Sequence, residues 1–543
     1  MPDLLSSDVL IPLLVMFGYF LALILIGIFG RKKLKQSQDD YFLGSRKLGG
    51  LVLLMTMAAT NFSAFSIYGF SGAAYRLGYS FYPIMAFGTA FMAITFLFIG
   101  KRVWALGKEN NYITPPELMG KEMKSPKLRA LVLLVMVVFS LPYIAIQPIA
   151  GGYTLEALFG IPYFAGASIV TGFIILYTFL GGFRTVVWTD VFQGIMMLTL
   201  MAVAVFGVSQ AHGGFIGAHE SIFTQMPELF SRPGPGGVYA PAFWFSYMIL
   251  WFFCDPLFPQ LFQRFFSAGD KKALDKTTIL YPIATGIFFL LPIMLGVLGH
   301  LSFPGLEGKE SDSLFPMLVD MHFSPLVGTL IITAGLAALM STMDSQLLTL
   351  SSMFTKDIYE PITKKKAGRG VGRIFTVTLA LLGLVIAYFN PSSILAITTE
   401  TFTGLAVLFV PLMAILYWKR VTPAGAISSI LVGESLVALY HFDFLSSGGF
   451  LSVIPILIAT SLTLITVSWL DEPIKRSVPK FNKKALWWAI PLIAIFAASL
   501  DYWNWSKAPE LWLGLPVWMW YFIALNGVLS LLFWRITKSN ACA

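Results

Sequence analysis

Residues 251–264 read WFFCDPLFPQLFQR, and the two prolines in this stretch decide how the chain is organised. An apolar run of this kind would otherwise continue as one membrane-crossing helix, but Pro256 and Pro259 each remove a backbone donor and crowd the preceding turn. A second interruption lies at 58–75, AATNFSAFSIYGFSGAAY, where small and polar residues stand in place of the leucines that a lipid-facing helix carries. Breaks at membrane depth are tolerated where the freed backbone is buried in protein or lines a wet cavity. The pair of breaks is therefore expected to mark one site.

Around these breaks the chain is apolar throughout. Of its 543 residues, 57% are hydrophobic and 12% charged, which excludes an ordinary soluble protein. Fifteen apolar runs, from 9–30 to 511–534, are each long enough to cross the hydrocarbon of a bilayer. They predict an all-α integral membrane protein of about 15 transmembrane helices. With the first span entering from outside, the inner loops carry RKKLKQSQDDYFLGSRK, QRFFSAGDKKALDK, KKKAGRGVGR and DEPIKRSVPKFNKK. Only Arg76, Arg232, Lys309 and Lys507 fall on the outer side. Cytoplasmic loops hold the excess of Lys and Arg, so a multi-pass protein of the cell membrane is expected, with its N-terminus outside and its C-terminus in the cytoplasm. The net charge of +9 is in this reading a topology signal. Dispersed over short loops, it builds no nucleic-acid surface.

Spans two to six and seven to eleven form two groups of five, at 49–212 and 241–420. An odd number per group inverts the second relative to the first. Each group opens on one of the broken helices, the arrangement of transporters whose sites lie near the midplane. Residues 1–48 add an N-terminal span and a cytoplasmic loop, 213–240 an extracellular loop, and 421–543 further C-terminal spans. There is no GxxxxGK[ST] phosphate loop and no loop long enough for a soluble catalytic domain, so an enzyme is not expected. Cys254 and Cys542 supply neither a disulfide framework nor a metal spacing. Pumping would draw on an ion gradient, and no obligate protein partner is evident.

The ninth apolar run contains GLAALMSTMDSQLLTLSSMF, residues 335–354. On a helix Ala338, Ser341, Thr342 and Ser345 stack along one face, with Asp344 flanking Ser341. A small hard cation wants several oxygens, which hydroxyls and unwound carbonyls supply. The plain alternative for any one hydroxyl is a bond back to its own helix. Asp344 weighs towards function, because a carboxylate at mid-membrane costs roughly 2.5–3.5 kcal/mol on insertion scales and usually faces the bundle interior. Asp190, Asp255, Glu400 and Glu434 are the other embedded carboxylates, each a partner for an ion, a proton or an amine. Asp190 follows the Arg184 loop closely, where pairing with arginine is the alternative; Glu434 lies outside the two groups and reads as structural.

At these residues the chain resembles the sodium:solute symporter family, which shares the five-plus-five inverted-repeat fold of the leucine transporter. The matching stretches are DDYFLGSRKLGG, SGAAYRLGYS, YITPPE, YTFLGGFRTVVWTDVFQ, LAALMSTMDSQLL with SSMFTKDIY, and YWKRVTPAGA, together spanning nearly all of 39–427. The resemblance implies a sodium site built from the carbonyls of Ala59, Phe62 and Ala338 and the hydroxyls of Ser341 and Thr342. Some members hold a further sodium, which here would fall to Asp190, Ser341, Asp344 and Ser345; Asp344 stands where those members place a hydroxyl. Substrate contacts would map to Ser63, Phe65, Ser66, Thr89, Tyr143, Gln147, Trp251 and Glu400. Sugar-transporting relatives have glutamine at the Ser66 position and glutamate at that of Thr89, so a hexose is disfavoured.

The expected function is sodium-coupled symport of a small organic solute by alternating access. Glu400 would pair with an ammonium group, and the helix ends at the two breaks would receive a carboxylate, which suits an amino acid or similar zwitterion. A monocarboxylate or a pantothenate-like acid, carried with sodium or protons, is the first alternative. A sensor or exchanger without net transport is the second.

Overall fold

A computed structural model describes residues 7–32, 38–178, 182–366, 369–476, 478–479, 483–505 and 507–539. Parts of the basic inner loops, at 33–37, 367–368 and 480–482, and Cys542 lie outside the described residues. The described chain is mostly helical, and its strands, Leu511–Trp512 and Leu515–Pro516, are two residues each and pair antiparallel.

Among the described residues, 12 helices are long and apolar enough to cross a membrane, and 13 when a bent pair counts as one span. The expected fifteen runs do not map one to one onto these. Tyr163–Thr178 is only 16 residues, about 24 Å at 1.5 Å per residue and short of the hydrocarbon thickness. Gly50–Asn61 is a half-helix of 12 residues. Beyond it the chain runs as one apolar stretch over Phe65–Asn110, interrupted by a tight turn at Gly78–Ser80.

Both breaks fall where small, polar and proline residues place them. The first half-helix stops at Asn61, and Phe62 leaves helical geometry at φ −81°, ψ 84°. The freed donors find side chains and nearby carbonyls: Ala64 N donates to Gln147 Oε1 (3.2 Å), Phe65 N to Ser63 Oγ (3.1 Å) and Ser66 N to Ser63 O (2.9 Å). These bonds satisfy the backbone where the α-helical ladder is interrupted. A wide turn over Phe65–Gly69 then leads into Phe70–Leu77. At the second break, Pro241–Cys254 passes through Asp255–Leu257 and restarts at Pro259–Ser267, bent by 53°. Pro256 and Pro259 each stand at the start of a segment, where a missing N–H costs least.

The centre of the molecule is Pro325–Met353, in which every residue from Ile331 to Met353 is buried. A helix enclosed all round has no lipid face, and it packs against Phe183–Ala211, Pro126–Phe159, Gly50–Asn61 and Ser7–Lys32. Gly335 permits one close approach, because a Cβ there would collide with the hydroxyl of Tyr68. That hydroxyl bonds Thr154 Oγ1 at 2.6 Å and so pins the segment after the first break to the 126–159 helix. The polar face of the central helix is thereby aimed at the first break.

Candidate functional site

Ser341 sits on that face with no exposure. Its hydroxyl donates to the carbonyl of Ala59 at 2.9 Å, across the gap to the first half-helix, and lies 3.1 Å from the carbonyl of Ala338. One position on, the Thr342 hydroxyl donates to the carbonyl of Thr60 at 2.9 Å. Ala59, Ala338, Ser341 and Thr342 are thus brought together. Phe62 stands at the end of the same half-helix, with its ring stacked on Phe288 at 3.8 Å, while Thr342 bonds the carbonyl of Thr60. Both hydroxyls reach across to the half-helix, and Ser341 also bonds back to its own. A cluster of carbonyl and hydroxyl oxygens shielded from water matches the donor preference of a small hard cation.

One turn further along, the proposed second ion group has a different occupant. Arg264, from Pro259–Ser267, is fully buried. Its Nη2 donates to Asp190 Oδ2 at 2.7 Å and to Ser345 Oγ at 2.9 Å, and its Nε to Thr56 Oγ1 at 3.0 Å. Thr56 also bonds Asp190, and Thr60 Oγ1 lies 3.3 Å from Asp190 Oδ2 and 3.2 Å from Ser345 Oγ. Asp344 Oδ2 accepts from Tyr177 at 2.7 Å. One expectation is corrected here: the segment QRFFSAGDKKALDK is not a loop at its start, since Gln263 and Arg264 lie inside the bundle. Asp190 pairs with an arginine, Arg264, while Arg184 pairs with Asp40 at 2.8 Å.

Between the two breaks lies a small closed cavity lined by Asn61, Phe65, Ser66, Thr89, Tyr143, Trp251, Asp255 and Phe402 among others. Trp251 meets Phe402 edge-on at 4.7 Å and Phe65 at 5.9 Å, and Tyr143 packs on Phe402 at 5.4 Å. Five of the expected substrate residues therefore line one space: Phe65, Ser66, Thr89, Tyr143 and Trp251. Ser63 and Gln147 support it from behind. Ser63 Oγ bonds the Tyr143 hydroxyl at 2.8 Å, and Gln147 holds the backbone of the break.

Glu400 is elsewhere. It opens onto a separate, wide groove beside Leu131, Phe243 and Leu431, with its side chain 66% exposed and 3.4 Å from His441. Phe402, two residues on and about 200° round a helix of 3.6 residues per turn, is the one that faces the cavity. Among the described residues the only carboxyl side chain lining that cavity is that of Asp255, which is 3% exposed. No Lys, Arg or His pairs with it among the described residues. Its position beside Pro256 was legible, but its direction depends on the bend.

Broken helices that meet around a closed cavity, beside a buried oxygen cluster on a central helix, define an ion-coupled secondary transporter and not an enzyme. The model of the sodium:solute symporter family matches residues 41–433. The chain belongs to that family. It is 30% identical over 466 residues to the sodium/pantothenate symporter of Escherichia coli, covering 84% of this chain and 95% of that one. It is likewise 30% identical over 438 residues to a sodium/proline symporter of Staphylococcus aureus, covering 78% and 84%. Among solved structures it superposes on an outward-open sodium-coupled sialic acid symporter with a TM-score of 0.73 at 20% identity, over 86% of this chain and 99% of that one. At this identity the likeness establishes the fold, that of the leucine-transporter type. The chain is therefore a multi-pass membrane protein that couples a small solute to sodium.

Proposed function

We propose that the protein imports a small solute carrying an ammonium group, an amino acid or similar zwitterion, together with sodium. The observation that carries this reading is Asp255, the one carboxyl among the described residues lining a cavity whose walls combine Phe65, Trp251, Phe402 and Tyr143 with the polar Asn61, Ser66 and Thr89. A carboxylate with aromatic faces around it attracts a cationic nitrogen and repels a free acid. The same carboxyl group, with no basic side chain among the described residues lining the cavity, weighs against a simple monocarboxylate or a pantothenate-like acid, although the E. coli relative is named for pantothenate. The sodium/proline relatives are compatible with a zwitterion.

Sodium would act by tying the first half-helix to the central helix. The carbonyls of Ala59 and Ala338 and the hydroxyls of Ser341 and Thr342 would hold the ion, with Phe62 closing the half-helix beside them. Without the ion those oxygens lose a shared partner, and the inner side opens more readily. One sodium entering down the membrane potential supplies about 2.3 kcal/mol per 100 mV before any concentration term. The two groups at 49–212 and 241–420 would rock against each other about this site, in a cell membrane with the N-terminus outside.

The test is uptake into proteoliposomes under an imposed sodium or proton gradient, with labelled amino acids, betaines and monocarboxylates. The expected result is sodium-driven accumulation of an amine-bearing solute that Asp255→Asn weakens tenfold or more. Accumulation of an acid without a nitrogen, unaffected by Asp255→Asn, would support the carboxylate reading instead. Solute exchange with no net uptake would mark an exchanger.

A further inference from the structure

Asp190, Asp344, Thr56, Thr60 and Ser345 converge beside the Ser341 cluster, each no more than 2% exposed. Two carboxylates and three hydroxyls enclosed away from water form a cation's environment. The cation found there is a side chain. Arg264 bonds Asp190, Ser345 and Thr56, and its Nη1 donates to the carbonyl of Gln260 at 2.9 Å. It thereby joins Pro259–Ser267 to Gly50–Asn61, Phe183–Ala211 and Pro325–Met353. Two of those helices also build the Ser341 cluster. Asp190 Oδ1 and Asp344 Oδ1 remain buried with no hydrogen-bond partner; Arg264 pairs with Asp190, while Asp344 Oδ2 accepts from Tyr177.

We propose that Arg264 is a tethered cation that permanently fills this second position, so that the transporter binds a single exchangeable sodium, at Ser341 and Thr342. The inference rests on the sodium-coupled reading above and is independent of which solute is carried. A guanidinium is suited to the task, because it stays charged when buried, is weakly hydrated and offers a planar fork of donors to several oxygens at once. A free ion would bind and dissociate with the sodium concentration on each side. A tethered one contributes its charge in every state and adds nothing to the sodium count.

The test is equilibrium binding of radioactive sodium to the purified full-length protein without solute. The wild type should bind one ion per chain, with a Hill coefficient near one. Arg264→Ala removes the guanidinium and leaves the oxygens, so a second ion should bind and the coefficient should rise towards two. Asp190→Asn in the same background should return the count to one. Two ions bound to the wild type, or a folded Arg264→Ala protein still binding only one, overturns the proposal. Should Arg264→Ala fail to fold, the wild-type count decides, because the proposal allows no second ion there. An absence of sodium binding altogether would overturn both this inference and sodium coupling, whereas a failure of the Asp255 reading leaves the count untouched.

Discussion

The hydroxyl of Ser341 and the carbonyl of Ala59 lie 2.9 Å apart, although 282 residues separate them in sequence. This contact joins the half-helix before the first break to the central helix, at the point where the break frees carbonyls. Removing the hydroxyl takes away one proposed sodium ligand and the link together. Ser341→Ala is expected to raise the sodium concentration for half-maximal uptake tenfold or more, equivalent to about 1.4 kcal/mol, with expression retained. Sodium-dependence curves of uptake for wild type and variant check this, and superimposable curves would remove Ser341 from the sodium site.

Glu400→Gln should do little. The carboxylate is mostly exposed beside His441, and exposed pairs contribute only about 0–1 kcal/mol. Initial uptake rates within twofold of wild type are expected, against the strong loss for Asp255→Asn. A Glu400→Gln protein unable to bind solute would return the amine contact to the groove beside His441.

The contrast between these two carboxylates shows what the sequence makes legible. The breaks were readable because proline at 256 and 259 and the small, polar run at 58–75 act locally on the helix. The Ser341 face was readable because helical periodicity puts 338, 341, 342 and 345 in one stripe. Glu400 and Asp255 were harder, because which side of a helix meets the cavity depends on tertiary rotation and on the 53° bend. Arg264 was hidden for a different reason. It precedes Lys271 and Lys272 by a few residues and shares their charge, so a charge count assigns all of them to a cytoplasmic loop, whereas the Pro259–Ser267 half-helix carries it into the bundle. A length criterion returns 12 or 13 spans among the described residues where the apolar runs number fifteen, because short or interrupted helices such as Tyr163–Thr178 and Gly50–Asn61 fall below it.

Asp312 predicts a pH dependence of closure at the 308–313 segment. It lies outside the spans, accepts from the Ile394 backbone N–H at 2.7 Å and sits 3.7 Å from Arg76, which itself bonds the carbonyl of Gly308 at 2.6 Å. These contacts gather the end of Phe70–Leu77, the 308–313 segment and the start of Ile394–Ala406. Burial pushes the Asp312 carboxyl up to about 7, against the opposing pull of Arg76 and the Ile394 N–H. In an open, hydrated arrangement it would titrate near the ordinary value of about 3.9. The closed arrangement therefore binds the proton more tightly. Its proton-linked advantage is complete below about 4 and disappears as pH rises through about 7. Backbone hydrogen exchange over 66–77, corrected for the intrinsic rate, should be slower at pH 5.5 than at pH 8. Asp312→Asn should abolish that difference, and a reversed trend in the wild type would contradict the assignment.

Arg232 and Asp501 offer a test of stability separate from transport. Both are fully buried, and Nε and Nη2 of Arg232 grip the two carboxylate oxygens at 2.7–2.9 Å. The guanidinium is boxed by Trp505, Trp244, Phe522 and Trp518, with its carbon 4.3, 4.9, 5.3 and 5.7 Å from the ring centres. The pair fastens the segment around Arg232 and the Pro241–Cys254 helix to the C-terminal helices. Breaking one side of such a pair leaves an uncompensated buried charge, which costs about 3–5 kcal/mol, whereas replacing both sides with apolar groups is often close to neutral. Arg232→Met should therefore lower the thermal midpoint in detergent clearly, and Arg232→Met with Asp501→Leu should recover most of the loss. The sodium dependence of the surviving protein should match wild type, because neither residue touches the Ser341 cluster. A double variant no more stable than Arg232→Met would mean that the ion pair itself, and not the relief of a stranded carboxylate, holds these helices together.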